Sequence, residues 1–135
     1  MRIVVVAVGK LRPPYQDDVQ HYQKLLARHA RVELIEVRED ERVERRIPER
    51  AHVALLDVQG QQRSSPELAR WLEARRHEGR DLCFVVGGPF GTTLPRCDSK
   101  LSFGPITLPH LLARVVLLEQ LYRAHKILAG EPYHH

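Results

Sequence analysis

Three groups of residues in this 135-residue chain have types and spacing that could do chemistry. The first is Leu101-Ser102-Phe103-Gly104-Pro105-Ile106-Thr107-Leu108-Pro109-His110, which runs straight into a long apolar-striped segment. Gly104-Pro105 cannot continue a strand ladder, and Thr107 is positioned to cap the helix that follows, with Pro109 in its first turn. A Gly-bearing loop would then present backbone N–H groups at a helix N-terminus, a natural place to hold a ligand. The bland alternative is an ordinary turn. The second group is Gly87-Gly88-Pro89-Phe90-Gly91, directly after the apolar run Leu82–Val86. Glycines just past a buried strand let backbone approach a ligand, and ligands of open α/β sheets bind beyond the carboxyl ends of the strands. The third is the terminus Tyr133-His134-His135, where an imidazole could act as base or phosphate ligand near neutral pH. The competing reading there is an idle, frayed end.

Other chemistry is poorly supported. There is no Walker motif, GxSxG, HExxH or EF-hand loop, and Val8-Gly9-Lys10 lacks the glycine spacing of a dinucleotide fingerprint. The carboxylates Asp57, Asp98 and Glu119 are scattered. Glu119 and Arg123 form an i,i+4 pair that reads as structural. Arg114, on the same helix, is placed to face either a nucleic-acid phosphate or solvent. Cys83 reads as a small core residue and Cys97 has no CxxC partner, so neither a disulfide framework nor zinc is expected.

The elements that must position these groups follow from periodicity. Ile3–Val8 is Val-rich, as a strand covered on both faces would be. A helix over Tyr15–Ala30 carries Val19, Tyr22, Leu25 and Leu26 on one side. Val32–Val37 and His52–Val58 read as strands. Between them, 38–50 holds five Arg and five acidic residues and reads as a solvated helix or loop rather than an RNA face. Ser64 or Ser65 caps the next helix, with Pro66 in its first turn, Glu67 completing a capping box from Ser64, and Gly79 ending it. Leu82–Val86 is a fourth strand, Thr92–Lys100 is irregular, and Lys100–Phe103 is a short fifth strand. From His110 to Leu128, Leu111, Val115, Leu118, Leu121, Tyr122 and Leu128 recur at helical spacing. Alternating strands and helices predict one α/β domain over residues 1–135, a mostly parallel sheet with helices on both faces.

With 43% apolar and 28% charged residues the chain is ordinary for a globular domain, and its length suits one core rather than two. No apolar run is long enough to span a bilayer, and Ile3–Val8 is too short for a signal segment, so a cytoplasmic protein without a membrane partner is expected. The net charge of +4 is a mild bias toward polyanions.

Several of these residues together resemble a known family. Val6-Ala7-Val8-Gly9-Lys10, Leu55-Leu56-Asp57, Gly87-Gly88-Pro89-Phe90-Gly91, Leu101-Ser102, Ile106-Thr107-Leu108-Pro109-His110, Arg114-Val115, Glu119 through Ala124 and Pro132-Tyr133-His134 look like the bacterial large-subunit rRNA pseudouridine N3-methyltransferases of the SPOUT superfamily. The resemblance implies a C-terminal trefoil knot and a homodimer in which one subunit's tail lies near the other's methyl donor. It implies S-adenosylmethionine as donor, held by Leu56, Gly88, Gly104, Pro105, Ile106, Thr107, Leu108 and Pro109, and large-subunit rRNA within the ribosome as substrate. It also guides three roles: His134 in proton handling or base positioning, Tyr133 in stacking, and Arg114 in phosphate contact. The chain departs from the family in carrying Phe90 where Glu is common and His135 where Arg or Lys is common, and in a shorter 38–50 region. Those departures keep a noncatalytic RNA-binding module as an alternative. A flavodoxin-like nucleotide-binding protein is disfavoured by the missing phosphate loop after the first strand.

Overall fold

The computed structural model describes residues 1–38, 42–88, 92 and 94–133. Five parallel strands form one sheet: β1 (Arg2–Val8), β2 (Arg31–Val37), β3 (His52–Gln62), β4 (Leu82–Val86) and β5 (Ser99–Ser102). Their order across the sheet is β2-β1-β4-β3-β5, so β1 and β4 are central. Those two strands are the apolar runs of the sequence, and every residue of Ile3–Val8 and Leu82–Val86 is buried. Burial pushes the Cys83 thiol up to about 12, which suits an inert core residue.

Three helices complete the chain: α1 (Tyr15–Leu26), α2 (Ser65–His77) and α3 (His110–Leu128). All three pack on one face of the sheet, where Val19 and Leu26 of α1, Leu68 and Leu72 of α2, and Leu117 and Leu118 of α3 meet Ile3, Val5, Ala7 and Phe84. Among the described residues the one helical element on the other face is a 3-10 turn. The opposite face, with Val4, Val6, Val53, Leu55 and Val85, is covered by the 3-10 turn Val43–Arg46 and irregular chain contributing Val43, Ile47, Ala51, Leu94 and Cys97. The charged 38–50 segment thus tucks its few apolar residues under the sheet, within the residues described.

Local signals explain most boundaries. Ser64 accepts the Glu67 N–H and Glu67 accepts the Ser64 N–H, the capping box expected for α2. α1 ends at Leu26, short of Ala30, because the Arg28 and His29 N–H groups donate to the carbonyls three residues back, Leu25 and Leu26, instead of four. Helix α3 has the expected bounds but not the expected cap. Pro109 occupies the N-cap position with extended ψ, its carbonyl accepts the Ala113 N–H, and no side chain caps the helix, so Thr107 is not the cap. β3 runs four residues past Val58 and bulges between Leu56 and Gln61, both of which pair with Leu101. There Gly60 lies so close to β5 that a Cβ would stand 2.7 Å from the Lys100 carbonyl carbon, which only glycine tolerates. No helix among the described residues is long and apolar enough to cross a membrane.

Candidate functional site

The carboxyl ends of β3, β4 and β5 converge on one cleft of about 760 Å³, within the range that holds small ligands. Leu56 and Asp57 reach it from β3, and Gly87 and Gly88 from the turn after β4. The far wall is the loop after β5: Phe103, Gly104, Ile106, Thr107, Leu108 and Pro109, with His110 and Ala113 of the first turn of α3. Of the eight residues singled out for a methyl donor, seven therefore line a common cavity. Pro105 is exposed between Gly104 and Ile106 and does not line it.

The backbone is held tightly where it borders this space. At Gly87 a Cβ would stand 2.7 Å from Thr92 Oγ1, and at Gly88 it would stand 3.0 Å from Val8 Cγ1. Gly104 adopts φ +108, which disfavours any side chain although the space beside it is open. The buried Ser102 hydroxyl donates to the Val58 carbonyl at 3.0 Å and accepts the Gly104 N–H at 3.0 Å. One side chain thereby ties the start of the loop to β3 at Val58. Ile106 is 72% exposed at the cleft rim. An apolar wall, a close-approach glycine turn and one carboxylate, Asp57, form a donor set that suits S-adenosylmethionine: flat apolar surface for a base, backbone for its polar edge, an anion for a cationic ligand. Asp57, Phe103, His110 and Ala113 are lining residues that the sequence did not single out for this ligand. Only proximity to the strand ends could have flagged them.

Arg114 is elsewhere than expected. Its side chain is wholly buried, 2.8 Å from the Glu36 carboxylate and 3.0 Å from the Gly9 carbonyl, and its Nε is buried without a hydrogen-bond partner. It faces neither phosphate nor solvent. Glu36 also accepts the Leu11 N–H at 2.6 Å, so the pair brackets the loop that follows β1. A charged residue at the inward-facing position of a helix with a partner 78 residues away carries no local signature.

Tyr133 is not frayed. Its ring lies 5.2 Å from that of Tyr122 in an edge arrangement, and the Arg123 guanidinium stacks over it at 4.3 Å. Burial and a hydrogen bond to the Glu119 carboxylate push its phenol above the ordinary tyrosine value. Glu119 and Arg123 pair at 2.7 Å, as their spacing predicted, and Glu119 extends the network through Gln120 to Ser65 of α2. Glu119 lies nine residues along α3 from His110, about 13 Å at ~1.5 Å per residue, so the structure does not bring Tyr133 to the cleft of its own chain. His134 and His135, like Pro89, Phe90 and Gly91, fall outside the described residues. Among the described residues no three His, Cys, Asp or Glu side chains gather as a metal site would require.

A family profile described as "Predicted SPOUT methyltransferase" matches residues 1–134. The chain is 47% identical to a ribosomal RNA large subunit methyltransferase H of Rubrobacter xylanophilus, covering 98% of each. It is 40% identical to the protein of that name from Acetivibrio thermocellus, covering 99% of each, and 41% identical to one from Stenotrophomonas maltophilia over the same shares. The alignment with the Acetivibrio protein runs over 158 positions, so that relative carries residues this 135-residue chain lacks. The chain belongs to the SPOUT methyltransferase family.

Proposed function

We propose that, as a member of this family, the chain transfers a methyl group from S-adenosylmethionine to N3 of a pseudouridine in large-subunit ribosomal RNA. The observation that carries this reading is the meeting of the Gly87-Gly88 turn and the Gly104–Pro109 loop around one cleft at the strand ends, in a chain whose relatives are named rRNA large subunit methyltransferases. When bound, the donor supplies an electrophilic methyl on a sulfonium. Leu56, Phe103, Ile106 and Leu108 would enclose its base, the backbone of Gly88 and of 104–109 would meet its polar groups, and Asp57 would face a cationic end. Pro105 would act by fixing the loop rather than by contact.

Binding of this kind contributes mainly proximity and in-line alignment of the N3 atom with the methyl group. N3 must lose its proton as it attacks, and His134 is the group we assign to accept it or position the base. Tyr133 would present a ring for stacking. Because Tyr133 lies along its own α3, away from its own cleft, a shared site requires a second copy whose tail reaches the first copy's donor. A homodimer is therefore part of the proposal, and a substrate in ribosomal RNA would place the protein in the cytoplasm.

The test is transfer of tritiated methyl to bacterial ribosomes lacking the modification, followed by mapping of the methylated nucleotide. Methyl at N3 of a pseudouridine supports the reading. Donor and RNA binding without transfer would establish the noncatalytic alternative, and absence of donor binding would overturn both.

A further inference from the structure

Beside the donor cleft lies a second cavity of about 510 Å³, walled by Gly9, Lys10, Arg12 and Gln16 and separated from the cleft by His110, which lines both. We infer that this cavity is the subsite for an RNA phosphate next to the target nucleotide, with Lys10 and Arg12 as its cations. The inference rests on the reading above that the substrate is RNA.

Four observations carry it. Lys10 and Arg12 are both exposed, and among the described residues neither enters an ion pair, whereas Arg2, Arg75, Arg76, Arg114 and Arg123 all do. Among the described residues no carboxylate lines the cavity. Glu36, the acid that reaches this loop, is already engaged by Arg114 and the Leu11 N–H, so its charge is not left to repel an anion.

The loop bearing the two cations is also fixed. The Gly9 N–H donates to the Val37 carbonyl at 2.9 Å, Arg114 donates to the Gly9 carbonyl, and Gln16 Nε2 donates to the Leu11 carbonyl at 3.4 Å. Gly9 has φ +102 and its missing Cβ would stand 3.2 Å from His110 Nε2, so loop and helix start are fitted together. Cations projecting from a held backbone lose less freedom on binding than cations on a free tail.

Chemistry supplies the rest. An enzyme that modifies a base draws it out of the stack into its pocket and reads the flanking nucleotides outside. The phosphates of a nucleotide whose base enters the cleft must then lie at the rim, and a basic pocket one residue away is where a strand would leave it. Arg114, expected from sequence to make this contact, instead holds the loop that makes it.

The test compares Lys10→Gln/Arg12→Gln with Arg28→Gln/Arg31→Gln, which removes the same charge near the start of β2 at the opposite end of the strands. Binding to bacterial large-subunit rRNA is measured across a salt series, with S-adenosylmethionine affinity and methyl transfer to ribosomes for each protein. The slope of log affinity against log salt should become shallower by roughly 0.7–0.9 in the first variant, the contribution of one phosphate contact, and stay unchanged in the second. KM for ribosomes should rise about tenfold or more in the first, with donor affinity preserved. Equal slopes in the two variants would overturn the subsite, as would loss of donor binding in Lys10→Gln/Arg12→Gln, which would make the pocket part of the donor site. If wild type binds rRNA but transfers no methyl, the methyltransferase reading fails while the slope comparison still decides the subsite.

Discussion

Glu36 at the end of β2 and Arg114 in α3 meet at 2.8 Å, with the arginine fully shielded from solvent and the glutamate 40% exposed. The pair joins the last helix to the loop after β1, two parts of the chain that meet at the second cavity, which Gly9 and His110 both line. Removing one partner of a buried pair strands the other charge and, here, the carbonyl of Gly9. Arg114→Leu should destabilise the fold by about 3 kcal/mol, the low end for such a break because Glu36 can rehydrate. Arg114→Lys should fall between, since an ammonium keeps the charge but cannot fork between Glu36 and the Gly9 carbonyl. Urea unfolding gives both values. A fully stable Arg114→Leu protein with a shallower RNA salt slope would restore the phosphate role and sink the structural one.

The donor site needs a probe that spares the core. Gly88→Arg is unsuitable, because even a Cβ there presses on the buried Val8. Ile106, 72% exposed on the rim, is separable. Ile106→Asp should leave stability within about 0.5 kcal/mol of wild type, as surface substitutions do. Titration calorimetry with S-adenosylmethionine should show affinity about tenfold weaker. Unchanged affinity would remove this loop from the donor site.

Ser102 offers a complementary test from inside. Ser102→Ala leaves the Val58 carbonyl and the Gly104 N–H without their partner and should cost about 1–2 kcal/mol. Donor affinity should fall as well, because the loop start is no longer tied to β3. Lower stability with donor affinity intact would show the tie to be structural alone.

Stability should depend on His125. Burial lowers its pKa below the ordinary 6.5, only partly countered by the bond from Nδ1–H to the Leu121 carbonyl. A pKa depressed in the folded state means the unfolded chain binds more protons, so this contribution is present above pH 6.5 and is lost as pH falls through the folded value. His125→Met should lose less stability than wild type between pH 7 and pH 5. Parallel curves for the two proteins would mean that the folded and unfolded chains protonate this imidazole over the same pH range, as a solvated side chain would.

A chain ending at Pro132 separates the tail's roles. It loses the Tyr133 ring from Arg123 and Tyr122 and the bond to Glu119, and should be less stable by about 1 kcal/mol, the scale of a partly exposed cation–π contact. Donor affinity should persist, since no tail residue among those described lines the cleft. Methyl transfer should fall roughly 100-fold or more if His134 handles the proton or places the base. Undiminished transfer would make the terminus idle.

The sequence determined the features that local physics controls. Continuous apolar runs placed β1 and β4 at the centre of a parallel sheet, because only strands covered on both faces can bury every residue. Ser64 and Glu67 set the start of α2 by bonds made within four residues, and the stripe from Leu111 to Leu128 set α3. The glycines after β4 and β5 marked the cleft, since where a strand ends and backbone must turn is written in the adjacent residues. Tertiary structure alone decided the rest, because each remaining feature depends on a partner far along the chain. Arg114 reads as a surface cation until Glu36 is known to lie opposite. Gly60 can be nothing but glycine only because β5 passes within contact of it, and Tyr133 reads as a frayed end until Arg123 and Glu119 receive it. Likewise the three helices share one face because α3 packs between α1 and α2, a choice made by contacts across the sheet and not by any segment's own pattern.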